Sequence, residues 1–194
     1  MISYNKKFIF IHINKTAGTA VEQSLLEYGD KRVEPKNDLN FELTYKQSQH
    51  FNYKEYKEYL GSEYDNFFKF TVVRNPFDRV VSYYLKNSIN QNNLSFSDWV
   101  IDRYKNQNFQ DYKRMYSDYT HWIDKDNTDF ILRFENLSSD FNILKQKLNI
   151  DCELKYHNVN KNRLHYKEYY NEDTKEIITN HFKKELNTFN YKFK

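Results

Sequence analysis

Lys15, Thr16, Gly18 and Thr19 fall close together in the stretch FIFIHINKTAGTAVEQSL, residues 8–25, directly after an apolar run. A loop with an ammonium group, two hydroxyls and a glycine ahead of an amphipathic segment has the make-up of an anion cradle. The free N–H groups and the dipole of a helix start favour an anion, the lysine adds charge, and the glycine lets the backbone come close. In FKFTVVRNPFDRVVSYY, Ser82 follows Arg74 by eight residues. A guanidinium at a strand end can fork onto a phosphate that a helical hydroxyl also reaches. The first loop is not a Walker A sequence, whose lysine follows its last glycine, because here Lys15 precedes Gly18. Plainer readings remain open. A tight turn with Thr19 as the helix cap fits the first stretch, space-filling fits Ser82, and Asp78 with Arg79 reads as a surface ion pair.

These residues need elements to position them. Lys7–Ile13, Phe67–Arg74 and Asp129–Phe134 are nearly continuous apolar runs, the pattern of strands covered on both faces of a parallel sheet. A helical pattern follows each. Val21, Leu25 and Tyr28 share a face, from a helix beginning near Thr19, with Gly29 as its C-terminal cap. Val80, Val81, Tyr84 and Leu85 mark the second helix, with Pro76 near its first turn. Leu137, Phe141, Leu144 and Leu148 mark the third, capped by Ser138 or Ser139. Two further helices are expected over Ser95–Asn106 and Glu172–Thr188, the latter with Ile178, Phe182, Leu186 and Phe189 on one stripe. Gly29–Gln49 and Asn87–Leu94 read as loops, the first long enough to carry function. Alternating strands and helices make this an α/β chain, one domain over 1–194, with a mostly parallel central sheet flanked by helices. Ligands of such sheets bind at strand-to-helix turns, where both candidate stretches lie.

Composition narrows the function. The 194 residues include 18 Tyr and 16 Phe, which serve as core material despite a mean hydropathy of −0.99. The Asn-, Lys-, Tyr-, Phe- and Ile-rich usage also fits AT-rich coding. A net charge of +3 argues against a nucleic-acid coat and leaves room for a local basic pocket. The single Cys152 excludes an internal disulfide and an all-cysteine metal site. No apolar run approaches a membrane span and the N-terminus lacks signal-peptide features, so a cytoplasmic protein is expected.

Taken in order, IHINKTAGTA, FKFTVVRNPFDRVVSYY, TDFILRFENL, NVNKNRLHYKEYY and ELNTFNYKF resemble the carbohydrate (Golgi-type, family 2) sulfotransferases. The resemblance spans nearly the whole chain and implies a P-loop-like sulfotransferase fold. It also implies transfer of the sulfuryl group of 3′-phosphoadenosine 5′-phosphosulfate (PAPS) to a hydroxyl, leaving 3′-phosphoadenosine 5′-phosphate (PAP). Carried over by position, Lys15, Thr16, Ala17, Gly18, Thr19 and Ala20 would hold the 5′-phosphosulfate. Arg74 and Ser82 would hold the 3′-phosphate, and Lys161 and Arg163 would close over the nucleotide; a solvated basic loop is the other reading of that last pair. The family commonly has Pro before the lysine and Ser after Gly-Thr, whereas this chain has Asn14 and Ala20, which removes one phosphate donor.

Sulfuryl transfer asks for in-line positioning and stabilisation of the leaving phosphate oxygen, which places Lys15 in a catalytic role. The acceptor hydroxyl must also lose a proton. Among six histidines, His50 is the chosen base because relatives of the resembled family carry a histidine in this region; His12, at the first strand's end, is the runner-up. Glu42 and Glu55 are outside carboxylate candidates. His121, His157, His165 and His181 show no ligand spacing, and the chemistry needs no metal. Tyr53, Tyr56 and Tyr59 form a tyrosine face that packs a helix or lines an acceptor groove.

The expected partner is a carbohydrate or small hydroxyl-bearing acceptor, with no nucleic acid and no membrane span. The Golgi members sit behind an anchor, so a cytoplasmic enzyme of microbial or viral origin is expected here. Two alternatives come from other classes. A phosphoryl transferase calls for a Walker A loop and an acidic strand end for magnesium, and both are missing. A non-catalytic nucleotide- or glycan-binding module would use the same pocket and would have no turnover to lose on removal of His50.

Overall fold

The computed structural model describes residues 1–29, 50–87, 94–107, 116–155 and 163–194. Most of the two expected loops, together with Glu42, His157 and Lys161, lies outside the described residues. Along the chain the main elements are β1 (Ile2–Ser3), β2 (Phe8–Ile11), α1 (Gly18–Ser24), α2 (Tyr53–Leu60), β3 (Phe68–Val73), α3 (Pro76–Asn87), α4 (Phe96–Val100), β4 (Phe130–Arg133), α5 (Leu137–Leu148), α6 (Glu172–His181) and α7 (Lys183–Phe189). The four strands form one sheet in the order β1-β2-β3-β4. β2, β3 and β4 run parallel, in register through Phe10↔Phe70 and Phe70↔Phe130, and the short β1 adds antiparallel to β2. This is the expected α/β architecture with a mostly parallel sheet and flanking helices.

The chain divides into two compact units, each made of two separated stretches: Met1–Val73 with Thr120–Asn158, and Arg74–Tyr119 with Val159–Lys194. The first holds the sheet. All four residues of β2 are fully buried, as the continuous apolar run requires. Phe8, Phe10, Phe70 and Val72 meet Val21 and Leu25 of the α1 segment and Phe141, Leu144 and Leu148 of α5 in one core. The second unit is helical, and its core is built from rings. Trp99 lies 5.9 Å from Tyr104 and 6.2 Å from Tyr116, and Tyr104 meets Tyr116 edge-on at 5.4 Å. Aromatic area thus replaces the missing aliphatic area.

Several local expectations are corrected. Gly29 is not the cap of α1, which ends at Ser24 with Leu25 in the cap position; Gly29 instead lies against the Met1 side chain. Neither Ser138 nor Ser139 caps α5. A 3₁₀ turn over Phe134–Asn136 feeds directly into Leu137, and the Ser139 hydroxyl donates to the Asn136 carbonyl. The helix expected over Ser95–Asn106 begins as foreseen, with Ser95 accepting from the Asp98 N–H, then widens into a π-helical turn at Ile101–Lys105. The last helix is two, broken at Phe182, whose backbone (φ −102°, ψ 23°) leaves the helical region while its ring stays buried.

Candidate active site

In the sheet-bearing unit, β2 runs through His12 and Ile13 into a turn over 14–17 and then into α1. Two non-glycine residues of this turn take the left-handed conformation, Lys15 at φ 63° and Ala17 at φ 70°. Each costs about 1–3 kcal/mol, a strain that collects at ligand sites. Ala17 occupies the N-cap position of α1, and no side chain caps the helix. The first ladder donors are Ala20 and Val21, both to the Ala17 carbonyl, so the amides of Gly18 and Thr19 stand ahead of the ladder. The expected Thr19 cap is therefore absent. The Thr16 hydroxyl donates to the Ile13 carbonyl at 2.9 Å and its side chain is fully buried, so it offers an anion its backbone rather than its side chain.

Gly18 has a different reason from the one its neighbours implied. A Cβ there would fall 2.0 Å from His12 Cδ2 and 2.3 Å from His12 Nε2. The glycine makes room for an imidazole. His12 is buried, its Nδ1 is 3.1 Å from Glu22 Oε1, and its ring stacks on Phe10. His50 meets His12 edge-on at 4.4 Å, with its Nδ1 2.8 Å from the His12 carbonyl oxygen. A carbonyl only accepts, so His50 Nδ1 carries a proton, and the neutral tautomer that makes this bond has its lone pair on Nε2. Both base candidates therefore sit in one cluster, and Glu22, a buried carboxylate in the helix after the loop, joins them. Glu55 is drawn elsewhere. Its Oε2 accepts the Asn52 N–H at 2.7 Å in the capping box of α2. Tyr56 is packing, fully buried with its hydroxyl 3.3 Å from the Phe10 carbonyl, while Tyr53 and Tyr59 are half-buried.

In the helical unit, Asn75 caps α3 by accepting the Phe77 N–H at 3.1 Å, and Pro76 takes the first helical position, where a missing N–H is harmless. Asp78 and Ser82 follow on one face, a turn apart. The surface pair expected between Asp78 and Arg79 does not form. Asp78 Oδ2 accepts from Arg74 Nε at 2.7 Å, and Asp78 Oδ1 from Arg163 Nη2, which also reaches the Asp78 carbonyl at 3.2 Å. One carboxylate is thus shared by two guanidiniums. Arg74 is 5% exposed, and burial, with the Arg163 charge adding to it, pulls its pKa below the ordinary value against the pull of Asp78. Arg163 Nε is buried and has no hydrogen-bond partner among the described residues. The Ser82 hydroxyl is half-buried and makes no hydrogen bond to a described residue.

Arg79 turns inward. It pairs with Glu185 at 3.3 Å, and both side chains are essentially unexposed. Burial pushes the Glu185 carboxyl above the usual carboxylate range, against the pull of the Arg79 guanidinium. Among the described residues no group of three or more His, Cys, Asp or Glu is arranged to hold a metal ion, and no helix is long and apolar enough to cross a membrane.

A strand-to-helix anion loop and an Arg/Ser constellation opening the next helix are what the motif order led to. Compared with known families, the chain matches the Sulfotransferase family over residues 1–192. It belongs to that family. No curated protein matches the chain, and no solved structure does. The sulfotransferase motifs account for Lys15, Arg74 and Ser82. They give no role to Glu22, Tyr119 or Glu185, and the partners of the last two, Arg74 and Arg79, lie far off in sequence. The only local signal for Glu22 was a carboxylate among the apolar and small residues of a helix that packs on the sheet. As a sulfotransferase the protein is a transferase that moves a sulfuryl group onto an acceptor.

Proposed function

We propose that this sulfotransferase uses PAPS as donor and a hydroxyl of a carbohydrate or similar small acceptor, and that 1–194 acts as one sulfotransferase domain. The observation that carries the reading is Asp78 shared between Arg74 and Arg163. Among the described residues two guanidiniums share one carboxylate in a largely desolvated place, with Ser82 one turn along α3. A 3′-phosphate dianion fits that pair of cations. The uncapped, strained start of α1 beside Lys15 fits the 5′-phosphosulfate in the same way. Support for one domain comes from the family match over 1–192 and from both units being built of separated stretches.

When bound, PAPS supplies the sulfuryl group, whose bond to the phosphate oxygen breaks as the acceptor oxygen bonds sulfur. His50 accepts the acceptor proton at Nε2, the nitrogen left unprotonated by the bond from Nδ1 to the His12 carbonyl. His12 is the less suited base, being buried under Gly18 and tied to Glu22. Lys15 stabilises charge on the leaving phosphate oxygen, and the amides from Thr16 to Thr19 orient it, the Ala20 N–H being taken by the Ala17 carbonyl. Arg74, Ser82 and Arg163 grip the 3′-phosphate, and Lys161, by its place in the resembled motif, closes over the nucleotide. The lone Cys152 and the composition fit a cytoplasmic setting of microbial or viral origin.

Calorimetric titration with PAP and with AMP tests the reading. PAP should bind more tightly than AMP, and Arg74→Ala should remove most of the difference. Equal binding of PAP, AMP and ATP, or none, overturns the donor assignment. PAP binding without sulfuryl transfer to any glycan would favour the non-catalytic module.

A further inference from the structure

Arg74 is the first residue beyond β3, whose ladder to β4 ends at Val73↔Arg133. Its N–H and C=O are instead taken by one side chain. The Tyr119 hydroxyl accepts the Arg74 N–H at 2.8 Å and donates to the Arg74 carbonyl at 2.7 Å. A phenol has one proton to give and lone pairs to receive with, so both bonds are made at once. A side chain 45 residues away thus stands in for a strand partner.

Tyr119 is held in its turn. Its N–H donates to Glu185 Oε2 at 3.0 Å, the Arg79 guanidinium lies 4.4 Å from its ring centroid, and Phe189 meets that ring edge-on at 5.4 Å. Arg79 and Glu185 are buried at a cost. Arg79 Nε and Glu185 Oε1 have no hydrogen-bond partner among the described residues. A buried ion pair of this kind is seldom more stabilising than apolar residues of the same volume. What it does here is fix the backbone and ring of Tyr119. The Glu185 carboxyl accepts the Tyr119 N–H whether or not it is ionised, so this hold survives titration of that group.

We infer that Tyr119 is the positioning residue for Arg74, clamping the backbone from which the guanidinium addresses the 3′-phosphate, while Arg79 and Glu185 hold Tyr119. The inference rests on the nucleotide reading above. Arg74 is a desolvated cation already engaged by Asp78, so it has little freedom to compensate for a displaced backbone. Misplacement by about 1 Å at a positioning group can cost on the order of 10²-fold in an enzyme. Only the 3′-phosphate is addressed by this arginine, so the clamp governs the preference for PAP over AMP rather than nucleotide affinity in general.

The test is a double-mutant cycle read by calorimetry on the full chain. Tyr119→Phe keeps the ring and removes the hydroxyl. It should weaken PAP binding about tenfold, the scale of one to two lost hydrogen bonds, and leave AMP binding unchanged. In an Arg74→Ala background the same change should have no further effect on PAP. Parallel losses for PAP and AMP, or a full Tyr119→Phe effect in that background, would show a merely structural tyrosine and overturn the inference. An undiminished PAP preference in Tyr119→Phe overturns it while leaving the donor assignment intact. A wild type without PAP preference overturns both. Should Tyr119→Phe not fold, hydrogen exchange at the Arg74 amide of the wild type decides: slow exchange, slowed further by PAP and not by AMP, is expected, and fast exchange refutes the clamp.

Discussion

Gly18 and His12 share one place: the imidazole of His12 lies where a side chain on Gly18 would begin, 2.0 Å from the nearest ring carbon. The ring cannot easily yield, since Glu22 holds its Nδ1 at 3.1 Å. Gly18→Ala should therefore destabilise the protein by about 1–3 kcal/mol, as overpacking of a tight interior does, outweighing any gain in helix propensity. Urea unfolding measures this, and in a His12→Ala background the same Gly18→Ala change should cost much less. An unchanged midpoint in the single variant would show slack around the ring.

Removing the imidazole at His50 separates proton transfer from binding. His50→Ala should lower turnover by about 10²–10⁴ while PAP affinity stays as in the wild type. If PAP affinity falls as well, His50 belongs to the donor pocket; if turnover holds, the base lies elsewhere and His12 is the next to remove.

The Arg79–Glu185 pair gives a prediction that stability measurements check. Arg79→Leu leaves a buried carboxyl without its cation, and a loss of about 3–5 kcal/mol is expected for a severed buried pair. Arg79→Leu with Glu185→Leu should recover a large share of that loss. Thermal unfolding of the two variants checks it, and additive losses would disprove the pairing.

His181 makes stability depend on pH in a defined direction. Its Nε2 is 2.9 Å from the Tyr116 carbonyl, and burial holds its pKa below the ordinary histidine value. A histidine kept neutral by folding binds fewer protons folded than unfolded, so its contribution is complete above about 6.5 and is lost as pH falls below it. The unfolding midpoint of the wild type should drop more steeply below pH 6.5 than that of His181→Gln. Parallel curves would assign the acid sensitivity to other groups.

The strands were legible in the sequence because continuous apolar runs such as FIFI and FKFTVV have little other use than a sheet covered on both faces. α5 was legible from the regular spacing of Leu137, Phe141, Leu144 and Leu148, all of which are buried. Lys15, Arg74 and Ser82 stood out because their motifs are local. What stayed hidden was long-range. Nothing beside Asp78 announces that its second partner is Arg163, and nothing beside Tyr119 announces Arg74. The caps are less legible: Gly29 lies against Met1 beyond the Leu25 cap of α1, and a 3₁₀ turn feeds straight into α5, arrangements that local propensity does not encode.

The chain passes between its two compact units at three points, after Val73, Tyr119 and Asn158. Neither unit is therefore a finished object while the ribosome is still working through the middle of the message. Strand β4 reaches β3 only after the helical stretch has been synthesised, and Arg79 waits more than a hundred residues for Glu185. Contacts of such long sequence separation close slowly, and the half-made chain meanwhile exposes apolar strand edges. This architecture keeps apolar surface open for longer during synthesis than one built of local contacts, whatever stability the protein has once complete.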